Sequence, residues 1–330
     1  MSRPTDSLSR RRILEGIGLG ALTLGAAGCA PVTRIAHVAT KCPQLPPSVP
    51  VATAAKPVAP RSPAKAPRTH TKRPSTPDLT ARAHEVPRLR HGELVPGLYS
   101  GDTFVDQVAV SFDDMPKPGF TEITLRRLAE AEVSATFFVV GRLVRRYPGL
   151  VKALVDHGHE LGNHTYNHPS LVTLTPEEIG DELDRTQEAV DQALGYHYPM
   201  HMVRPPYGLP YYGPARPKAV EKVSRAIAAK KGCIALWTLG TRDTVAGCTP
   251  ERVISGLKRR FNLGTGGVMV FHPTYCAKGS LRPVFRMIHH KGFKVTSVRS
   301  LLEQKYGWPL ETLSEWGPKL LADGLVTAKR

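Results

Sequence analysis

From about residue 105 onward, short apolar bursts alternate with longer runs whose apolar positions recur every three or four residues. The bursts are QVAVSF, SATFFVV, HELGNH, MHMVRP, CIALWTL, GVMVFH and FKVTSV, and their length and apolar content predict strands. The runs between them predict helices over residues 122–132, 148–157, 176–194, 214–230, 250–261 and 282–290. Pro176 and Pro250 each follow a threonine, a capping hydroxyl ahead of a first helical position that needs no N–H. Seven strand-then-helix units predict an α/β fold on a parallel sheet. In one domain of this size the expected closure is a distorted (β/α) barrel of about seven parallel strands, with its chemistry at the C-terminal strand ends.

Residues 1–98 lack this alternation. Residues 1–30 place Arg10, Arg11 and Arg12 before a Gly/Ala/Leu run too short and glycine-rich for a membrane span, which predicts an export signal. SRRRILE resembles the twin-arginine export pattern. GAAGC resembles a lipoprotein cleavage box that would lipidate Cys29, with Ala26 where a larger aliphatic residue is usual; the other reading is a secreted protein that loses Cys29 with its signal. Residues 31–98 read as a basic linker, with ten prolines between residues 43 and 77 and few large apolar residues to bury. The expected divisions are therefore a signal over 1–30, a linker over 31–98, a catalytic domain over 99–310 and a C-terminal extension over 311–330.

The net charge of +17 is concentrated in the tail: residues 1–98 hold 15 Lys/Arg against 5 Asp/Glu. Their basic residues are scattered among Pro, Ala and Thr without stacking aromatics, so nucleic acid is not the expected partner. A tether lying against an anionic membrane or wall is. No oligomeric state is read from the sequence.

Polar residues gather at the expected strand ends. The first strand runs into Asp113 and Asp114; HELGNH leads to His164 and His168; MHMV leads to RPPYG with Arg204 and Tyr207; CIALWTLGTR leads to Asp243; GVMVF leads to His272. The two histidines are four apart, one helical turn, which would let both rings face one ion. Singly, each residue has a plain reading as a surface charge, a turn former or a cap. Together at successive strand ends they point to one site.

SFDD, HTYNH, RPPYG, TRD and VFH occur in that order, and with ATFFVVG and GHELGNHTYNHPSL they resemble the polysaccharide deacetylases of the NodB-homology type, carbohydrate esterase family 4, over roughly residues 104–304. The resemblance implies a divalent metal, usually zinc, held by Asp114, His164 and His168. Two histidines and a carboxylate also suit non-haem iron, so the ligands alone do not decide the ion. It further implies Asp113 as general base, His272 as general acid, Arg204 orienting the base, Asp243 orienting the acid, and the Tyr207 backbone N–H at the oxyanion. Amide cleavage needs such a set, because the carbonyl is a poor electrophile and the amine a poor leaving group.

Two positions depart from the family pattern. Met115 replaces a usual glycine, which would strain the loop if a positive φ were required there. Thr244 follows Asp243 where tryptophan is usual, and Trp237 reads as core rather than a substitute. Among the cysteines, Cys248 and Cys276 fall in mouth loops while Cys233 starts its strand roughly 17 Å away, so Cys248–Cys276 is the expected disulfide. The expected function is an exported, metal-dependent N-deacetylase of an N-acetylglucosamine polymer at the cell wall, peptidoglycan being favoured. The rivals are an O-acetyl (xylan-type) esterase and a carbohydrate-binding wall lipoprotein that has lost turnover.

Overall fold

The computed structural model describes residues 88–89, 93–214 and 216–322. The expected export signal, Cys29, Cys42 and most of the expected linker lie outside them. In chain order the elements are β1 (Gly97–Leu98), β2 (Gln107–Met115), α1 (Phe120–Ala131), β3 (Ala135–Val139), α2 (Gly141–Arg146), α3 (Pro148–Asp156), β4 (Glu160–Asn163), α4 (Pro176–Leu194), β5 (Met202–Val203), α5 (Pro217–Ala229), β6 (Cys233–Ala235), β7 (Leu239–Gly240), α6 (Pro250–Asn262), β8 (Gly267–Phe271), α7 (Tyr275–His290), β9 (Lys294–Thr296), α8 (Val298–Tyr306) and α9 (Leu310–Ala322).

Eight strands pair in parallel in the order β1-β6-β5-β4-β3-β2-β8-β7 and curl into a distorted barrel. β9 pairs with β2 at residues 107–109 and β3 with β2 from residue 110 onward, so the two share one edge. The expected strand CIALWTL breaks in two. β6 joins the β1–β5 side and β7 joins β8; between them Leu236 N–H donates to Leu98 O (2.9 Å) and Thr238 N–H to Val268 O (3.0 Å). One stretch therefore spans the barrel's seam without a continuous ladder.

Alternation along β2 explains the two layers of core. Val108, Val110 and Phe112 face the helices, among Leu128, Val284 and Phe285. Ala109 faces the interior with Phe138, Met202, Ala235 and Val268, joined by Leu301, Leu302 and Leu313 of α8 and α9. Phe112 stacks on Phe137 (5.0 Å) and Phe271 (5.6 Å), its cross-strand partners in β3 and β8. Thr175 caps α4 through Glu178 N–H, and Thr249 caps α6 through Arg252 N–H, as their Thr-Pro starts require.

The domain is wider than composition indicates. Val95 and Leu98 are buried and β1 pairs with β6, so the boundary at residue 98 falls inside the sheet. Lys305 draws this segment in through ion pairs with Glu93 (2.6 Å) and Asp102 (2.8 Å). At the other end, α9 buries Leu310 and Leu313 rather than trailing as an extension. Removing the central ring with Phe112→Ala is expected to cost about 3–5 kcal/mol of stability, read as a lowered midpoint in urea unfolding with the slope unchanged.

Candidate active site

Strict alternation would send Asp113 and Asp114 to opposite faces of β2. A bulge prevents this: Phe112 pairs with Phe137 and Met115 with Val139, so β2 spends an extra residue there. Asp114 takes a left-handed φ of 59°, which aspartate tolerates better than most residues. Asp113 stays in the interior, and Asp114 turns into the mouth. Met115 is not the strained residue; it is buried and paired in the strand, so the departure from glycine costs the loop nothing.

The ligand atoms of Asp114, His164 and His168 lie within 4.8 Å of one another. His168 Nε2 is 3.2 Å and His164 Nε2 3.7 Å from Asp114 Oδ1. His164 Nδ1 lies 2.7 Å from Arg204 O; a carbonyl only accepts, so Nδ1 carries the proton and Nε2 presents its lone pair to the cluster. This donor set fits a divalent metal. The histidines are not on a helical turn. They sit in the loop after β4, where Thr165 (φ 67°) and His168 (φ 64°) are left-handed. The loop is held from α4: the buried Glu182 carboxylate accepts from Tyr166 N–H (2.9 Å), Asn167 N–H (2.7 Å) and the Asn167 amide (2.7 Å). Asn163 Oδ1 accepts from Thr165 N–H (2.9 Å).

Arg204, fully buried inside the barrel, donates through Nη1 to Asp113 Oδ1 (2.6 Å) and Ser111 Oγ (2.9 Å), and through Nε to Ala235 O (2.6 Å). Its guanidinium also covers the Phe138 ring at 3.7 Å. Burial raises the Asp113 pKa, but the Arg204 charge, with His164 and His272, outweighs it and holds the carboxyl below its usual value. Asp113 Oδ2 remains free and faces His164 Nε2 (3.9 Å) and His272 Nε2 (4.0 Å).

His272 receives the opposite treatment. Burial alone would lower it, yet the hydrogen bond that His272 donates to Asp243 and the nearby carboxylates raise it above the usual histidine range. Asp243 holds both ends of the residue, through Nδ1 (2.9 Å) and the backbone N–H (2.7 Å), and is itself fixed by Thr241 Oγ1 (2.8 Å). Tyr207 (φ 60°) lies beside His168, ring to ring at 4.8 Å, and its backbone N–H has no hydrogen-bond partner among the described residues.

All eight sequence-derived candidates converge on one mouth. Ser111 and Glu182 were not legible as part of it, because their hydrogen bonds join separate elements, and Thr241 enters through Asp243, two residues along the chain. Trp237 packs half-buried against the inner core: it stacks on Tyr212 (4.6 Å, 22°) and lies 5.8 Å from the Arg204 guanidinium carbon. Cys248, in the loop before α6, and Cys276, in the first turn of α7, do come together, but both are thiols, not the expected disulfide. Burial and the Cys276 side chain push Cys248 up to about 11.

A polysaccharide deacetylase profile matches residues 100–227. The chitooligosaccharide deacetylase of Bradyrhizobium sp. (strain ANU 289) is 33% identical over 169 residues, 51% of this chain and 71% of that one. A peptidoglycan-N-acetylglucosamine deacetylase of Listeria monocytogenes is 29% identical over 204 residues, 60% of this chain and 39% of that one. Among solved structures, a CE4 family pseudoenzyme from Bacillus anthracis is 26% identical with a TM-score of 0.54, covering 66% of this chain and 72% of that one. The chain spans 39–60% of the length of several curated relatives it matches.

Arg204→Met leaves Asp113 buried without its counter-charge. It is expected to cost about 3–5 kcal/mol in urea unfolding, and the double variant with Asp113→Asn should recover much of that loss.

Proposed function

The chain belongs to the polysaccharide deacetylases of carbohydrate esterase family 4, and from that premise we propose that it is a metal-dependent hydrolase removing N-acetyl groups from an N-acetylglucosamine polymer. The observation that carries the reading is the division of labour between adjacent carboxylates: Asp114 belongs to the Asp–His–His cluster, while Asp113 has one oxygen pinned by Arg204 and the other free at the mouth.

Asp114, His164 and His168 would hold the ion, zinc being the family's usual one, and it would supply Lewis-acid polarisation of the acyl carbonyl and of a water. Asp113 Oδ2, ionised because Arg204 keeps its pKa low, takes the proton of the attacking water. The Tyr207 N–H donates to the oxyanion. His272, held protonated by Asp243, delivers its Nε2 proton to the departing amine, so water and amide become acetate and a free amine. Opposed pKa shifts on the two groups suit a base and an acid working at one pH.

Peptidoglycan is the proposed polymer. The reading draws on the deacetylases among the relatives and on the export signal and basic linker, which would hold the domain at the cell envelope, anchored through Cys29 or secreted. The pseudoenzyme relative makes loss of turnover the rival reading. Met115, one of its two motives, is an unstrained core residue here, and a binding protein has no use for a base and an acid on either side of one cluster.

Acetate release from peptidoglycan and from N-acetylglucosamine oligomers tests this. Release should need zinc, stop with a chelator, and fall by about 10²–10⁴ in Asp113→Asn, while calorimetric zinc binding survives in that variant and is lost in His164→Ala. Zinc binding without release from either substrate would sink the deacetylase reading in favour of an ester substrate or a binding protein. In Asp243→Asn, His272 loses the Asp243 charge and its charge-assisted hydrogen bond, the first of the contributions that raise its pKa, so the alkaline limb of kcat/KM should move to lower pH.

A further inference from the structure

A cavity lies beside the Asp–His–His cluster, not in it. It encloses about 750 Å³ along β7, between Trp237 and the loop after Gly240 on one side and α6 on the other. β7 ends the strand order, so this is the open side of the barrel's seam. Arg242, Arg252, Arg259 and Arg260 line the cavity, and no Asp or Glu does.

None of the four guanidinium groups has an ion-pair partner among the described residues. Two are steadied by backbone carbonyls: Arg252 Nη1 donates to Gly247 O (2.9 Å) and Arg260 Nη2 to Thr238 O (3.1 Å). Arg252 and Arg259 are seven apart on α6, two turns, and so share a face; Val253, Leu257 and Phe261 bury the helix's other side. Four like charges in one groove with no counter-charge repel one another and raise the local potential, which favours an incoming anion. The chain's own tail is a poor occupant, because residues 1–98, with 15 Lys/Arg against 5 Asp/Glu, are themselves net positive.

The groove joins the reaction site through two of its walls. Trp237 also lies 5.8 Å from the Arg204 guanidinium carbon. Thr241, another lining residue, donates to Asp243, which holds His272. A polymer with an acetyl group at His272 can thus extend along the arginines. Guanidinium forks match planar carboxylates two bonds at a time.

We propose that this groove is an anion subsite for carboxylates carried on the glycan substrate, separating a carboxylate-bearing strand from a neutral one. The proposal rests on the deacetylase reading above. It names the substrate class within that reading: peptidoglycan, with lactyl and peptide carboxylates, is gripped here, and a chitin-type oligomer is not.

The test uses the full chain and its Arg259→Gln and Arg252→Gln/Arg259→Gln variants. Kinetics on solubilised peptidoglycan fragments should show KM rising about tenfold in the double variant with kcat held, since each lost charge-assisted contact weakens binding. Both constants on the neutral N-acetylglucosamine oligomer should stay within about twofold. Equal losses on both substrates would overturn the proposal, pointing to a disturbed loop at Gly247. Co-sedimentation with insoluble peptidoglycan keeps the test independent of turnover. Binding should weaken with salt and in the variants, and also when the wall carboxylates are amidated. If amidation changes nothing while hydrofluoric acid stripping of phosphate polymers abolishes binding, the ligand is a phosphodiester polymer and the carboxylate assignment fails.

Discussion

A charge buried in the barrel interior has to be paired, and in this protein that requirement falls on Arg204. A lone guanidinium there would cost several kcal/mol, so its neighbours are arranged around it: Asp113 and Ser111 from β2 and Ala235 O from β6 accept its protons. Phe138 of β3 lies under its face. Its own backbone continues the arrangement, with N–H donating to Asn163 O (2.9 Å) and C=O accepting from His164. One residue therefore fixes, by its side chain, the Asp113 carboxylate and, by its backbone carbonyl, the His164 tautomer, and it ties four strands together.

The backbone around this pair departs from ordinary conformations where the chemistry needs it. Of eight non-glycine residues with positive φ among the described residues, five belong to the mouth: Asp114, Thr165, His168, Tyr207 and Arg242. Such conformations persist only where surrounding structure over-determines them. Here the bulge in β2 and the Glu182 carboxylate do so. The result is a cluster of donors aimed inward from loops that would otherwise splay apart.

Charge is also sorted by position. Acidic and imidazole groups occupy the mouth, while arginines without acidic partners among the described residues line the seam next to it. Asp113 is held low and His272 high by neighbours of opposite sign. Two adjoining regions of opposite character thus meet at Trp237 and the loop carrying Asp243, and a substrate spanning both would be read for its acyl group and its charge.

Much of this was written in the sequence. Short apolar bursts, Thr-Pro helix starts and the runs between them indicated the parallel α/β architecture, and the polar residues at the strand ends named eight residues that meet at the mouth. Local rules could assign them because each motif sits where a strand must end. What they could not supply was anything decided by contacts distant in the chain. The break of CIALWTL into two strands depends on which neighbours each half finds, Leu98 or Val268. The docking of β1 and α9 depends on apolar faces with no local signature. That Asp113 and Asp114 share a site depends on a bulge fixed by pairing with β3. The sequence by itself determined which residue types stand at the strand ends; only the tertiary structure decided where they point, because direction is set by pairing and by a buried charge that must find its partners across the fold.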